Sequence, residues 1–385
     1  MAKVSVTSSG DQPSTNMAKD LQLEDRALSA KYRDFRDQAK FYYNMRGVNK
    51  VLDASFNGIE NVLYRNEISK PIVAPIFLLG NFRSGTSFFE KVIADHRDVG
   101  HFTYGSQVFP RSPIITGAAI RKFAFFNKPM VPVHMPSSVN AESPYEAEPI
   151  WRFCKNNCWT ADAVNILDQN FSDPAFEKIF RTAIQKSLIS QKKKRFLNKN
   201  PWNTLRVGYL SKLFPDAKFL YITRHPNRQL RSQLDLEKIC QKVLGGLEHF
   251  NEAFSDQFFP PRVFFRTNSS GRYIDLYSRN KPLATAMSIV DFDEEFDAQV
   301  KSANVEGRLF RIRYEDLVEN FAPMLDDVFD FLDLGQEDAR RVIEKNEASY
   351  LKRNLVSSTS RVPEFDDEVN ECLSTLHRKH GYAVS

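Results

Sequence analysis

From Ile76 to Ser87 the chain reads Ile-Phe-Leu-Leu-Gly-Asn-Phe-Arg-Ser-Gly-Thr-Ser. Four apolar residues without alternation predict a strand buried on both faces, two glycines bracket a turn, and Thr86 opens an amphipathic run to about His96. A strand apolar on both faces needs helices above and below it, so this segment points to a parallel sheet between two helical layers. The alternation recurs: Arg195 to Asn198 and Lys218 to Thr223 read as strands, Asn203 to Leu213 and Asn227 to about Cys240 as helices. A late strand, Leu309 to Tyr314, leads into a helix from Ala322 to Leu332, and a charged helix follows from Asp366 to His380. The predicted fold class is α/β with a central, mainly parallel sheet.

Composition narrows the partners. The 385 residues are 42% hydrophobic and 26% charged, proportions of a globular protein rather than a disordered, collagen-like or disulfide-stapled one. A net charge of +5 over this length is a weak argument for nucleic acid and suits a single ligand carrying several phosphates. Cys154, Cys158, Cys240 and Cys372 are too few and too irregular for a disulfide framework or a zinc site, and read as reduced thiols. The first 20 residues lack the apolar core of a signal peptide, and the longest uncharged apolar run, Pro71 to Leu79, falls short of the roughly 20 residues of a membrane span. A cytoplasmic protein is predicted, and the sequons at Asn170 and Asn268 are chance matches. Residues 1–20 are expected to be a disordered N-terminus. Residues 21–70 are read as an N-terminal helical layer, two helices meeting near Gly47, and 71–385 as the main domain. Within that domain 105–150 is a Pro-rich, loop-rich cover.

A strand, a glycine turn and a helix N-terminus deliver backbone N–H groups to an anion. Against the pattern G-x-x-x-x-G-K-[ST], Gly80 and Gly85 fill the glycine positions, Thr86 stands where the lysine belongs, and Ser87 follows. Arg83, inside the loop, supplies the missing charge as a fork of donors. Such a site suits a nucleotide with a short 5′ group and is poorly equipped for ATP and magnesium. The plainer alternative is an ordinary strand-to-helix turn.

Phe82-Arg-Ser-Gly-Thr-Ser87 resembles the 5′-phosphosulfate loop of sulfotransferases that use 3′-phosphoadenosine 5′-phosphosulfate (PAPS). Asn198-Lys-Asn-Pro-Trp-Asn203, continuing through Phe214 to Pro226 and on to Ser232, resembles the 3′-phosphate region of the same family. Ile312-Arg-Tyr-Glu-Asp-Leu-Val318 is a third, weaker match to the bacterial group. The resemblance spans about residues 72–335 and implies a P-loop-like three-layer fold. By it, Arg83, Ser84, Gly85, Thr86 and Ser87 hold the 5′ end of PAPS, Arg224 and Ser232 hold the 3′-phosphate, and no metal is required. The implied reaction is sulfuryl transfer to a hydroxyl rather than an amine. A kinase with a degenerate loop and a non-catalytic anion-binding adaptor are the competing readings, and a homo-oligomer stays open.

Sulfuryl transfer rests on positioning and charge stabilisation. Lys199 matches the lysine of the family's Lys-x-Pro segment and is the candidate for steadying the sulfuryl oxygens. A base is harder to place: cytosolic sulfotransferases carry a His where this chain has Pro201, and tyrosylprotein sulfotransferases a Glu where it has Tyr104. Ser143-Pro-Tyr-Glu-Ala-Glu-Pro-Ile150 resembles a Pro-x-Glu-x-Glu segment of bacterial members, so Glu146 and Glu148 are the candidate bases, Glu148 preferred, with His101 and His134 in reserve. The acidic run Asp291 to Asp297 lacks the glycine of a calcium loop and reads as a solvated helix face; the basic run Lys192 to Arg195 reads as a solvated turn. Of 32 phenylalanines, Phe102, Phe109, Phe123, Phe125 and Phe126 fall between the glycine loop and the Glu pair, which favours an apolar alcohol, phenol or lipid as acceptor over a charged polysaccharide.

Overall fold

The computed structural model describes residues 46–123, 129, 138–155, 166–244, 270–359 and 361–383. Within these, the side chains of 46–48, 148, 239–244, 270–274 and 348–359 fall outside the description. The described residues begin with helix α1 (Arg46–Leu63), then strand β1 (Ile76–Leu79), helix α2 (Thr86–Ala94), strand β2 (Val99–His101), and helices α3 (Pro113–Lys122) and α4 (Pro174–Gln191). It continues with β3 (Arg195–Lys199), α5 (Val207–Leu213), β4 (Lys218–Thr223), α6 (Pro226–Leu244), α7 (Lys281–Ser302) and β5 (Leu309–Arg313), and ends with α8 (Phe321–Phe331), α9 (Gln336–Thr359) and α10 (Asp367–Lys379).

The five strands lie in the order β2-β3-β1-β4-β5 and every pair is parallel. β1 is central: Ile76 registers with Leu197 on one side and with Lys218 on the other. Strand periodicity divides the core in two. Phe77, Leu79, Phe196, Phe219 and Tyr221 face one layer, filled by Phe176, Phe180 and Ile184 of α4, Tyr209 and Leu210 of α5, and Phe296 of α7. Ile76, Leu78, Leu197, Leu220 and Ile222 face the other, filled by Phe89, Val92 and Ile93 of α2, Leu325 and Val328 of α8, and Val342 of α9. The predicted three-layer α/β architecture is present.

Local chemistry sets the helix ends. The Asp173 carboxylate accepts from the Phe176 N–H at 3.2 Å with Pro174 in the first turn, and α4 ends where Lys192 turns left-handed at φ 57°. Asp366 caps α10 by accepting from the Val369 N–H at 3.0 Å, and that helix carries Asp367 and Glu368 in its first turn and His377, Arg378 and Lys379 in its last. α4, α7 and α9 add to the helices expected from the sequence, and α3 lies inside the stretch read as loop-rich.

α1 is held by acids rather than by an apolar face. Asp53 accepts from the backbone N–H and Nε of Arg111 at 3.0 and 2.7 Å; Glu60 accepts from the Ile115 N–H at 2.7 Å and pairs with Lys186 of α4 at 3.2 Å. Gly47 sits in the first turn of α1, and residues before Arg46 lie outside those described.

Several expectations change. Within the acidic run, Asp293 is buried: it accepts from the Tyr221 hydroxyl at 2.7 Å, lies 2.9 Å from Nε2 of His380, and pairs with Lys379. A run that reads as a solvated face is therefore partly the clasp that holds α10 to α7. In the basic run, Arg195 donates to the carbonyls of Ala74 and Leu332 at 3.0 and 2.9 Å, so its end is built into the sheet edge. Phe102 belongs to the core, 5.0 Å from Phe196, and Phe109 meets Phe56 of α1 edge-on at 5.3 Å, so both rings are engaged by the protein's own aromatic contacts. Phe123 is exposed, while Phe125, Phe126 and His134 lie outside the described residues. Cys154 and Cys372 are free thiols, and burial pushes that of Cys372 up to about 11. Among the described residues no helix is long and apolar enough to cross a membrane.

Burial alone would raise the Asp293 carboxyl, but the hydrogen bond from His380 and the charges of His380 and Lys379 hold it at about 2, below its ordinary 3.8. A depressed carboxylate stabilises the fold above its ordinary pKa and loses that contribution as pH falls from about 4 toward 2. Asp293→Ala, which strands the Tyr221 hydroxyl, is expected to cost about 3 kcal/mol at pH 7 in denaturant unfolding and much less at pH 2.5.

Candidate active site

The carboxyl end of β1 is shaped by two glycines that admit no side chain. At Gly80, φ is 146° and a Cβ would lie 2.7 Å from the Ile222 carbonyl of β4. At Gly85, φ is 101° and a Cβ would lie 2.4 Å from the Tyr314 ring. Between them Arg83 is itself left-handed, at φ 66°. The turn is tied from outside: the Thr204 hydroxyl accepts from the Gly80 N–H at 3.2 Å, and Gln229 and Gln233 of α6 donate to the Phe82 carbonyl at 3.1 and 3.0 Å. Ser84 is buried and its hydroxyl has no hydrogen-bond partner among the described residues. A buried orphan hydroxyl beside the positive end of α2 is what an anion seat requires. The predicted loop residues Ser84, Gly85, Thr86 and Ser87 are all at this turn.

The second half of the predicted site arrives from β4. Arg224 follows the last residue of that strand; one of its guanidinium nitrogens donates to the Arg83 carbonyl at 3.1 Å, and the guanidinium stands 5.1 Å from the centre of the Tyr314 ring. Arg83 in turn donates from Nε to the Ser232 hydroxyl at 2.9 Å, across 149 residues. Arg83, Arg224 and Ser232 thus form one cluster, with the Arg83 side chain directed to the Ser232 side. The Glu315 carboxylate fixes the neighbouring backbone, accepting from the His225 N–H at 3.1 Å and from the Tyr382 hydroxyl at 2.8 Å. Burial first, then the charge of His377 and nearby arginines, lowers the His225 ring to about 4, so it stays neutral.

Lys199 ends β3 with its side chain 2% exposed, and its ammonium pairs with Glu146. Ala147, left-handed at φ 63°, turns the chain so that Glu146 faces inward just before the short helix Glu148–Trp151. The amides of Asn200 and Asn198 donate to the Glu146 carbonyl at 3.1 and 3.5 Å. Of the two candidate carboxylates, Glu146 is joined to Lys199, and the side chain of Glu148 lies outside the described residues. His101 is buried with Nδ1 3.0 Å from the Phe102 carbonyl, and burial lowers its ring to about 4, which makes it a poor proton acceptor.

Sequence reasoning missed Glu90. It sits on α2, 2% exposed, with Oε1 lacking a hydrogen-bond partner among the described residues. Burial raises its carboxyl from 4.5 to about 7, against the charge of Lys199 and with that of Glu146. Its signal is an acid inside the apolar run Phe88-Phe89-Glu90-Lys91-Val92-Ile93, where a helix face that packs on a sheet has no ordinary use for one. Buried Tyr104 stands beside both acids, its hydroxyl pushed well above its ordinary pKa by burial and then by Glu146, Tyr145 and Glu90. An anion seat next to a buried cation and two acids is equipped to hold an anionic group and move a proton.

Residues 75–252 match the model of a sulfotransferase family. An omega-hydroxy-beta-dihydromenaquinone-9 sulfotransferase, Stf3, of Mycobacterium bovis is 22% identical over 302 residues, covering 72% of this chain and 67% of that protein. The protein of the same name in Mycobacterium tuberculosis matches equally. Among solved structures, sulfotransferase STF9 from Mycobacterium avium superposes with a TM-score of 0.51 at 14% identity, covering 85% of this chain and 82% of that one, which shows a shared fold. These matches bear out the resemblance to sulfotransferases, and the matched segment contains the loop, Lys199, Arg224 and Ser232.

Gly85→Ala combines a strained φ with a clash on the Tyr314 ring, and is expected to cost roughly 2 kcal/mol or more in denaturant unfolding. Combined with Tyr314→Ala, which removes the clash and leaves the strain, the cost should be less than the sum of the two single costs. Strict additivity would show that the Gly85–Tyr314 contact does not shape the loop.

Proposed function

We propose that this relative of the sulfotransferases transfers a sulfuryl group from PAPS to a hydroxyl of an acceptor with an apolar body, by in-line displacement. The observation that carries the reading is the convergence of Arg83, Arg224, Ser232 and the buried Lys199 around a helix N-terminus whose loop lacks the lysine that ATP sites use.

In this reading the loop from Gly80 to Ser87 seats the 5′-phosphosulfate, with Ser84 and the N-terminus of α2 as donors. Arg224 and Ser232 take the 3′-phosphate, and Arg83, already bonded to Ser232, spans the two ends. Lys199 leaves Glu146 for the oxygen that bridges sulfur and phosphorus, where charge grows as the bond from sulfur to that oxygen stretches. Glu146, released from its counter-ion, accepts the acceptor's proton as the acceptor oxygen bonds to sulfur and the S–O bond to the phosphate breaks. Glu148 is the alternative base. The apolar acceptor draws support from the mycobacterial relatives, whose name gives a menaquinone alcohol as theirs; the cover phenylalanines support it less than the sequence implied, since Phe102 and Phe109 are occupied by protein contacts.

Adenosine 3′,5′-bisphosphate is expected to raise the melting temperature while ATP with magnesium does so far less, and Arg83→Ala or Arg224→Ala should remove the response. Equal shifts with both ligands, or none with either, would sink the donor assignment. With labelled PAPS and a lipid-alcohol acceptor panel, Lys199→Ala is expected to lower kcat about 100- to 1,000-fold, and Glu146→Gln about 100-fold, with bisphosphate still bound. Labelled product equal to wild type from both variants would overturn those roles.

A further inference from the structure

Glu90 places a carboxyl where a carboxylate is costly. It lies on the face of α2 that packs on the sheet, between Phe89 and Val92, and from β3 it meets the Lys199 ammonium's charge and the Lys199 backbone N–H. The charged and titratable groups around it come from four places. β3 brings Lys199; the segment before Glu148–Trp151 brings Glu146; the turn Tyr104–Gln107 brings Tyr104; its own helix brings Lys91. β1 contributes only apolar side chains, and His101 of β2 is kept neutral by burial. From α9, Lys345 faces α2 but pairs with Asp95 at its far end, at 2.7 Å.

The charge balance here is uneven. Lys199 offers one positive charge to two acids, and Glu146 already holds it. An anionic donor arriving on Lys199 adds further negative charge beside a buried oxygen that has no hydrogen-bond partner among the described residues. A proton on Glu90 offsets that charge at the least cost, because Glu146 is hydrated on one side, at 17% exposure, whereas Glu90 is sealed.

We propose that Glu90 couples donor binding to proton uptake: its carboxyl takes a proton when the anionic donor occupies the loop and Lys199, and gives it up when the site empties. The inference rests on the donor assignment above. It makes Glu90 a positioning residue: neutral, it leaves Lys199 to the sulfuryl group and leaves Glu146 as the sole ionised acid, whereas ionised, it competes for Lys199. The direction follows from burial. A carboxyl raised to about 7 in the empty site is neutral below that pH and anionic above it, and the donor's charge raises it further. Between the two values, binding consumes a proton, so donor affinity falls as pH rises.

Calorimetric titration with adenosine 3′,5′-bisphosphate at pH 8, in two buffers of different ionisation enthalpy, reads this directly, since phosphate groups with a second pKa near 6 are already ionised there. Wild type is expected to take up roughly half a proton or more per bisphosphate bound, and its Kd to rise up to about tenfold per pH unit above that point. Glu90→Gln should abolish the uptake and flatten the rise, binding at pH 8 about as tightly as wild type does at pH 6.5. Binding by wild type with no proton uptake overturns the proposal while leaving the donor site standing, and does so even if Glu90→Gln fails to fold. Equal uptake in wild type and a folded Glu90→Gln also overturns it. Absence of bisphosphate binding overturns the donor assignment and this coupling together.

Discussion

A lysine ammonium that is almost wholly out of water sets the terms for the region around it. Burying one charge costs several kcal/mol unless a counter-charge goes with it, and for Lys199 that counter-charge is Glu146. Much of the nearby backbone serves the pair: the left-handed Ala147 aims Glu146 inward, and Asn198 and Asn200, flanking the lysine, grip the Glu146 carbonyl. Nearby groups then adjust to a site with a single cation, Tyr104 by staying a neutral phenol and Glu90 by holding its proton more tightly than an exposed acid. A strong ion pair is a poor resting place for a catalyst unless something else can claim the cation, and in the proposed reaction the donor seated in the adjacent loop is that competitor.

That loop applies the same economy to the backbone. Its conformation places Gly80 and Gly85 where a methyl group would strike the Ile222 carbonyl or the Tyr314 ring, and side chains from α6 and the turn Pro201–Leu205 occupy its polar groups on the outer side. The bond from Arg83 to Ser232 and the one from Arg224 to the Arg83 carbonyl join the first strand's loop to the element after β4 before any ligand enters. A ligand that bridges them meets an assembled cluster and orders few side chains on arrival.

The architecture was legible because parallel strands covered on both faces must be continuously apolar, and Ile76–Leu79 and Phe219–Ile222 are. α4 was equally open to reading: Asp173-Pro174 is a helix start, and Phe176, Phe180, Ile184 and Leu188 follow at helical spacing. The charged residues of the interior were harder to read. Asp293 looks like any acid on an amphipathic helix and Glu90 is marked only by the apolar run around it, and partners brought from distant segments, Tyr221 and Lys379 for one and Lys199 for the other, give each its surroundings. The pairing of Glu146 with Lys199 depends on the left-handed φ of Ala147, which no residue pattern announces. Phe102 and Phe109 show the converse, apolar residues near the site that meet the protein's own core and α1.

The central place of β1 carries a cost during synthesis. Its Ile76 finds one neighbour at Leu197 and the other at Lys218, so both edges of an apolar strand wait for sequence made long after it. Until then the strand offers unpaired backbone and Ile-Phe-Leu-Leu side chains to any passing edge, the exposure that drives nascent chains to aggregate. The segment that gives the fold its core and the loop its position is thus also the one most in need of shelter on the ribosome, and sheet formation here is a non-local, late and slow event.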